Sequence, residues 1–454
     1  MERRSQKRSA MRKRTAIAYA LTLAITGCGD DGDQTTPDAA PEPPPPRIIA
    51  GGGIGDGPIE GVANVYVIDD ATRDPISGAT VRVGDVEGTT DATGLFVANG
   101  VTGAQTVLVK ATDHRAEMWM GANGKNMTFS LMLGADPNPR SATMTGSLSL
   151  SSLPVLVADH LYFAQVGYSA GDQLGDDENQ IPTPNNTHQC LFLTRDTPCT
   201  FTVVTRTGEV ALFASVIDVD TKGTQTDTDD TYAPAAWAFR PAANVAANAT
   251  VTGMDLTPIA GTTNLADLAV EFGTPPSSLS ERGALIQVEL PDDGLMSLGF
   301  VTPAAPMLMK APKLSAITGA TAFRLIGIAT TGGDAPTESV VLRRSLSASP
   351  FSAGTWLDPP GSTDVSRTGA SWAPVAGATV HSVEYTQGTA NLLNVTSLDD
   401  TSLFTVPELL ALPGGAITVK VSAIGATGFD VTNFSLDADR NKLDRVAAKT
   451  IELP

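Results

Sequence analysis

Two cysteines in the middle of the chain are close enough in sequence to react with each other. Cys190 and Cys199 bound the stretch CLFLTRDTPC, which is typical of two short strands around a turn. Facing residues of such a hairpin approach to disulfide distance, and closing so short a loop stabilises a fold by roughly 2–3 kcal/mol. The sequence therefore predicts a disulfide, with two reduced thiols as the alternative if the facing registers do not match. His188, two positions earlier, is expected to be a solvated loop residue.

One acidic loop has the spacing of a calcium site. Asp218 and Asp220 are followed by a central glycine and by Asp229 at the twelfth position, and loops of this kind hold Ca²⁺ through carboxylate and carbonyl oxygens. Lys222 stands at one of the ligand positions, where its positive charge opposes cation binding. The three carboxylates are therefore weak calcium candidates, and a solvated acidic turn is the simpler interpretation.

A second acidic run near the end of the chain has the same alternation. It offers the oxygen ligands of Asp437, Asp439 and Asn441. Lys442 replaces the glycine that a calcium loop needs for its sharp turn. This run is also a weak candidate, and calcium is the one cofactor considered for the chain.

No group of residues in the sequence has the complete spacing of a catalytic site. His114 and Glu117 have the HxxE spacing of zinc carboxypeptidases, but no third ligand lies nearby in sequence, so a structural loop is expected. The glycine-rich stretch GGGIGDG is not followed by a helix signal or a Lys-Ser/Thr pair, and is predicted to be a hinge rather than a phosphate-binding loop. No catalytic residue is therefore assigned.

The chain begins with a basic segment that is followed by an apolar segment. Seven Lys and Arg residues precede an apolar run from Ala16 to Ile25, which is too short to span a bilayer. The layout ends in Ile25-Thr26-Gly27-Cys28 and resembles a bacterial lipoprotein signal. The resemblance implies that residues 1–27 are a signal peptide and that Cys28 is acylated with fatty acids such as palmitate, which hold the chain on a membrane.

The resemblance also bears on which membrane carries the protein. In lipoproteins of double-membrane bacteria, an aspartate directly after the cysteine tends to retain the chain at the inner membrane. Here that position is Gly29, and Asp30 comes one residue later. We therefore expect the outer membrane of the cell envelope, while the periplasmic or exterior side stays open.

Residues 28–58 are predicted to be the lipidated cysteine and a disordered linker. The stretch is acidic and Pro-rich in DDGDQTTPDAAPEPPPP and then Gly-rich, and neither half can bury apolar surface. The whole chain has a net charge of −19. Loss of residues 1–27 would remove seven basic residues and one acidic residue and leave about −25. Such a surface repels phosphate backbones, so nucleic acid is not an expected partner.

Residues 59–136 alternate apolar and polar positions between Asp, Gly and Pro turns, which predicts a small β-sandwich. Val81, Val83, Phe96, Val107 and Val109 are expected to face its core. The segment resembles the carboxypeptidase regulatory-like domain, also called transthyretin-like. The resemblance rests on Pro75-Ile76-Ser77-Gly78-Ala79-Thr80-Val81, Thr90-Asp91-Ala92-Thr93-Gly94-Leu95-Phe96 and Thr106-Val107-Leu108-Val109-Lys110-Ala111. It implies a fold rather than a catalytic site.

The next two segments have strand-like runs without a recognisable family. Residues 140–258 and 259–350 are each predicted to be a β domain, because short runs rich in β-branched residues recur between polar loops. Residues 264–269, with the sequence NLADLA, are expected to form one or two helical turns.

Residues 351–454 resemble a fibronectin type III or related immunoglobulin-like domain. The resemblance rests on Ser371-Trp372-Ala373-Pro374-Val375-Ala376-Gly377-Ala378, on His381-Ser382-Val383-Glu384-Tyr385, and on a late turn and strand that begin at Leu412 and Thr418. It implies that Trp372 lies in the core. His381 departs from the pattern, since an aromatic residue is usual there.

Together these features predict an all-β chain of tandem antiparallel β-sandwich domains after a signal peptide and a disordered Pro/Gly-rich tether. The function that fits best is a non-catalytic, membrane-anchored lipoprotein whose modules bind a protein or polysaccharide or organise the envelope. Two alternatives stay open: a cell-surface hydrolase with an unrecognised active site in residues 141–350, and a calcium-stabilised adhesin.

Overall fold

The computed structural model describes residues 46–133, 141–169, 188–224, 229–259, 264–291, 294–301 and 307–454. Within these ranges the regular structure consists of thirty β-strands, one four-residue α-helix and short 3-10 helices at Leu314–Ala316, Glu408–Leu410 and Arg440–Lys442. The predicted all-β fold class is confirmed. Cys28, the predicted signal peptide and the predicted linker up to residue 45 lie outside the described residues.

The first sandwich has a five-stranded layer, sheet 1. In spatial order, sheet 1 consists of β29 (Phe434–Ser435), β1 (Gly53–Gly55), β8 (Asn126–Leu131), β2 (Glu60–Asp69) and β5 (Leu95–Thr102). Four of the five residues expected in its core, all valines, are fully buried, and Phe96 packs against them from the edge. The period-two pattern of the sequence therefore identified this core.

The second layer of this sandwich belongs to a twelve-stranded sheet, sheet 5. In spatial order, sheet 5 consists of β18 (Leu295–Val301), β17 (Glu281–Glu289), β20 (Ala322–Thr330), β21 (Thr337–Leu346), β30 (Leu443–Leu453), β28 (Ile417–Ala426), β25 (Val380–Gln387), β26 (Ala390–Ser397), β7 (Ala116–Ala122), β6 (Gln105–Lys110), β3 (Thr80–Val83) and β4 (Val86–Thr89). Two of its ladders join segments that the sequence assigns to different domains. Strand β21 pairs antiparallel with β30, and β26 pairs parallel with β7. The described chain is therefore joined edge to edge across the expected boundaries.

Strand β7 serves two cores at once. Its side chains alternate between the faces of the sheet. Trp119 points into the core of the first sandwich, whereas Met118 and Met120 point into the core of the C-terminal sandwich. The second layer of that C-terminal sandwich is sheet 6, with strands β23 (Asp364–Ser366), β24 (Gly369–Ser371) and β27 (Leu403–Thr405). Trp372 is buried in this core, as the resemblance to a fibronectin type III domain implied.

Sheets 2 and 3 enclose a separate core. Sheet 2 consists of β11 (His188–Leu193), β10 (His160–Tyr168), β13 (Gly208–Asp220) and β14 (Thr231–Val245). Sheet 3 consists of β12 (Cys199–Arg206), β9 (Ser141–Leu148) and β15 (Thr250–Val251). The outer face of sheet 2 is also covered, because Ala211 and Trp237 pack into the next core along the chain.

That next core lies against sheet 4, which consists of β19 (Met307–Pro312), β16 (Leu265–Glu271) and β22 (Phe351–Ser352). The helical turns predicted at residues 264–269 are wrong. The segment forms β16 because Leu268 and Val270, two positions apart, are both buried, and its backbone pairs with strands on both sides. Tertiary pairing overrode a weak local preference.

Residues 46–58, the described part of the predicted linker, are folded rather than disordered. Strand β1 lies between β8 and β29 and pairs antiparallel with both. Ile49 and Ile54 are buried beside it. The predicted hinge glycines are needed for close packing rather than for flexibility: Gly53 has φ +150°, and a Cβ there would clash with the carbonyl oxygen of Phe434. We call residues 46–58 the N-terminal strap.

Candidate functional sites

The N-terminal strap forms one side of an open cleft of about 510 Å³. The cleft is lined by Arg47, Asp56, Gly57, Pro58, Asn123, Thr432 and Asn433. Arg47 donates to both oxygens of Asp56 at 2.9 and 2.8 Å, and this hydrogen bonding lowers the pKa of the Asp56 carboxyl. Asn126 also donates to Asp56 and accepts a hydrogen bond from Asn64 at 2.9 Å. A chain of polar contacts thus runs from the exposed Arg47 through Asp56 to the buried Asn126 and Asn64, and holds the strap against sheet 1.

The predicted disulfide is confirmed. Cys190 and Cys199 are bonded, with 5.8 Å between their Cα atoms. The geometry differs from the expected hairpin, because β11 pairs with β10 of sheet 2 and β12 pairs with β9 of sheet 3. The bond therefore staples the two layers of one sandwich together.

His188 lies beside this disulfide rather than in a solvated loop. It is half-buried on β11, two residues before Cys190, so both side chains leave the same face of the strand. A ring nitrogen of His188 and the two sulfurs of Cys190 and Cys199 all lie within 4.8 Å of one another. In the described ranges no other three His, Cys, Asp or Glu groups converge this closely. The His-x-Cys spacing was the only sequence signal for this cluster.

The first calcium candidates are not brought together. Asp218 and Asp220 lie at the end of strand β13 rather than in a loop, and Asp218 Oδ1 is 2.7 Å from His160 Nδ1. Asp220 forms an ion pair with Lys222, and this hydrogen bonding lowers the pKa of its carboxyl. Asp229 accepts a hydrogen bond from Thr224 at 2.9 Å. Each carboxylate has its own partner, and the ammonium of Lys222 is paired with Asp220.

The second candidates also have protein partners. Asp437 is buried in the short helix α1 (Leu436–Asp439), 3.7 Å from a guanidinium nitrogen of Arg73. Asp439 lies 2.7 Å from the ammonium of Lys442; although burial opposes it, this contact lowers the pKa of the Asp439 carboxyl. The carbonyl oxygen of Asn441 accepts a hydrogen bond from Arg344 at 3.2 Å. The run therefore forms a helical turn held by cationic side chains instead of an open calcium loop.

The HxxE pair does not form the expected loop: His114 lies just before strand β7, and Glu117 lies on that strand. The ring nitrogens of His114 lie 2.7 Å from the carbonyl oxygen of Thr112 and 3.0 Å from Asp69. Glu117 is buried and points elsewhere, to Arg115 at 2.8 Å and Asn394 at 2.8 Å. Burial raises the pKa of the Glu117 carboxyl.

No family model and no curated protein match this chain. Among solved structures, a variant of the major pilin subunit of Bacillus cereus is 9% identical, covers 61% of this chain and 87% of its own, and has a TM-score of 0.14. A Ca²⁺-stabilized adhesin with which an Antarctic bacterium binds ice is 10% identical, covers 87% and 98%, and has a TM-score of 0.14. At these TM-scores the whole chains do not share a common arrangement, so neither structure supports an argument about this one. In the part of the chain that the structure describes, no helix is long and apolar enough to cross a membrane.

Proposed function

We propose that this protein is an exported lipoprotein, anchored through acylated Cys28, whose folded body presents β-sandwich surfaces to a protein or polysaccharide of the cell envelope without catalysing a reaction. The outer membrane is the proposed location. The segments that resemble carboxypeptidase regulatory-like and fibronectin type III domains would act as non-catalytic modules within this body.

The observation that carries the proposal is the twelve-stranded continuity of sheet 5. At roughly 4.8 Å between neighbouring strands, the sheet extends about 50 Å, and it forms a layer of three cores. The N-terminal strap is paired on both sides into sheet 1. A tether that leads into the strap would therefore hold a folded body with a continuous sheet, as a protein that displays a surface requires.

The disulfide supports export, because structural disulfides form and persist outside the reducing cytosol. Cys199 is buried and the bond links two layers of a core. A bond placed there contributes to the stability of the folded protein only in an oxidising compartment.

The environment of His160 argues against the hydrolase alternative. His160 is the histidine in residues 141–350 that lies beside a carboxylate. His160 Nδ1 faces Asp218, as in a catalytic dyad, but its Nε2 lies 3.7 Å from Asp220 and so faces a second carboxylate. A general base for a serine nucleophile needs that nitrogen directed at the hydroxyl.

The decisive experiment is metabolic labelling of the full chain with a palmitate analogue in a bacterial host, with Cys28→Ser as the matched variant. We expect label and loss of residues 1–27 in the wild type, and no label in the variant. An intact N-terminus or an unmodified Cys28 thiol in cells would overturn the anchoring. Turnover of a peptidase, esterase or glycosidase substrate that a point mutation abolishes would overturn the non-catalytic assignment.

A further inference from the structure

The cluster of His188, Cys190 and Cys199 has the ligand chemistry of a soft metal site. We propose that reduction of the disulfide converts this staple into a Zn²⁺ site with one imidazole and two thiolate ligands. The proposal does not depend on the lipid anchor, since it rests only on the geometry of sheets 2 and 3.

The ligand set and its spacing suit zinc. Thiolates bind Zn²⁺ at about 2.3 Å and imidazole at about 2.0 Å, so ligand atoms of a tetrahedral site lie roughly 3.5–4 Å apart. The three atoms here already lie within 4.8 Å of one another. The two sulfurs must separate, and Cys190 can move most easily because it is half-buried on β11, an edge strand of sheet 2.

The chemistry balances with a dithiol as the reductant. The dithiol gives two electrons and two protons to the protein and becomes a disulfide, the bond between Cys190 and Cys199 breaks, and each sulfur becomes a thiol. Zn²⁺ then displaces both thiol protons to solvent, because the thiolate is the ligand. Neutral His188 supplies the third ligand, and a fourth position is left for water.

The site would preserve the connection between the two layers. Cys190 is on sheet 2 and Cys199 is on sheet 3, so either the disulfide or the metal joins the same strands. A metal that binds the folded chain and not the unfolded chain stabilises the fold. Loss of the disulfide would then be compensated whenever Zn²⁺ is present.

The test compares the full chain carrying Cys28→Ser, which leaves Cys190 and Cys199 as its two cysteines, in oxidised and reduced form. Each form is titrated anaerobically with Zn²⁺ against a chromophoric chelator. We expect one equivalent of Zn²⁺ on the reduced protein and none of similar affinity on the oxidised protein. Co²⁺ should give the thiolate-to-metal absorption of two sulfur ligands. The Zn²⁺-loaded reduced protein should melt at a higher temperature than the metal-free reduced protein.

Two variants locate the site. His188→Ala should weaken Zn²⁺ binding by about tenfold or more, since it removes one of three ligands. His160 lies on the adjacent strand β10 and is the control: His160→Ala should change the Zn²⁺ affinity by less than about twofold. If the metal-free reduced chain unfolds, reduction in the presence of Zn²⁺ should retain the native circular dichroism spectrum in the wild type and not in His188→Ala. Equal Zn²⁺ affinity of wild type and His188→Ala, or of oxidised and reduced protein, would refute the site.

Discussion

Some buried polar side chains supply a hydrogen-bond partner for a backbone group, and His381 is the clearest case. It is almost completely buried and its ring lies beside Trp372, at a ring-centroid distance of 6.0 Å. Its Nε2 accepts a hydrogen bond from the backbone N–H of Val375 at 3.1 Å, which requires the neutral imidazole. The departure from an aromatic residue at this position therefore has a local structural reason.

His381 should make the protein sensitive to mild acid. Burial lowers the pKa of its imidazole from the ordinary value of 6.5. The stability contributed by the neutral ring is therefore fully present above pH 6.5 and is lost as the pH falls through the lower folded-state pKa. We expect His381→Gln, whose amide oxygen can still accept from Val375, to reduce this loss.

Urea unfolding of both proteins at pH 7.5 and at pH 5.5 measures the effect. The free energy of unfolding should fall more for the wild type than for His381→Gln between these two values. A parallel fall in both proteins would show that other groups cause the acid sensitivity.

At the scale of elements, the parallel ladder between β7 and β26 joins the first and C-terminal sandwiches. Glu117 on β7 is opposite Asn394 on β26 and accepts a hydrogen bond from it. Glu117 also pairs with Arg115, which lies 3.6 Å from Glu384 on β25. The hydrogen bond from Asn394 to Glu117 crosses the junction, and the Arg115 guanidinium beside Glu117 balances its buried charge.

Glu117→Ala should destabilise the fold by about 3–5 kcal/mol, because it leaves the Arg115 charge without its closest partner in a buried site. Glu384→Ala is the matched control: its side chain is 35% exposed and more distant from the same arginine, so a loss below about 1 kcal/mol is expected. Denaturant unfolding measures both. Equal losses would mean that the buried pair does not hold the junction.

The N-terminal strap is the second element whose role can be tested. Gly53→Ala should destabilise the strap by about 1–3 kcal/mol beyond the cost of a positive φ alone, because its Cβ meets the backbone of Phe434. Gly61→Ala is the control, since Gly61 also has positive φ but no atom lies within 4 Å of its Cβ position. Limited proteolysis should release residues 46–58 faster from Gly53→Ala than from the control. Equal release would show that the strap tolerates the added methyl group.

For the whole molecule, the cores are coupled by shared surfaces rather than linked as a flexible chain. Sheet 5 connects three of them, and the sandwich of sheets 2 and 3 is coupled through the outer face of sheet 2. Trp237 is central to that contact: it is buried against the core at sheet 4, and its indole N–H has no hydrogen-bond partner among the described residues. The contact there is apolar packing.

Trp237→Ala should cost about 3–5 kcal/mol and uncouple the sandwich of sheets 2 and 3. We expect calorimetry to resolve an earlier, separate transition in this variant. Trp237→Phe should cost less, since it keeps an aromatic ring in the apolar contact and the N–H that it removes has no hydrogen-bond partner among the described residues. If both variants unfold in a single transition like the wild type, the two bodies are not coupled through this residue.

The sequence by itself determined the all-β class, the valine core of the first sandwich, the burial of Trp372 and the disulfide. The β class, the valine core and the disulfide follow from local patterns: period-two alternation, turn residues and the short spacing of Cys190 and Cys199. The burial of Trp372 was instead implied by the resemblance to a fibronectin type III domain. The lipid anchor at Cys28 is implied by a resemblance to bacterial lipoprotein signals and stays a prediction.

Only the tertiary structure decided which strands become neighbours. The pairing of β7 with β26 and of β1 with β29 joins residues hundreds of positions apart, and hydrophobic period does not encode such partners. The same limit explains the folded strap, the strand at residues 265–271 and the position of His188 beside the disulfide. Each depends on which backbone or side chain arrives from a distant part of the chain.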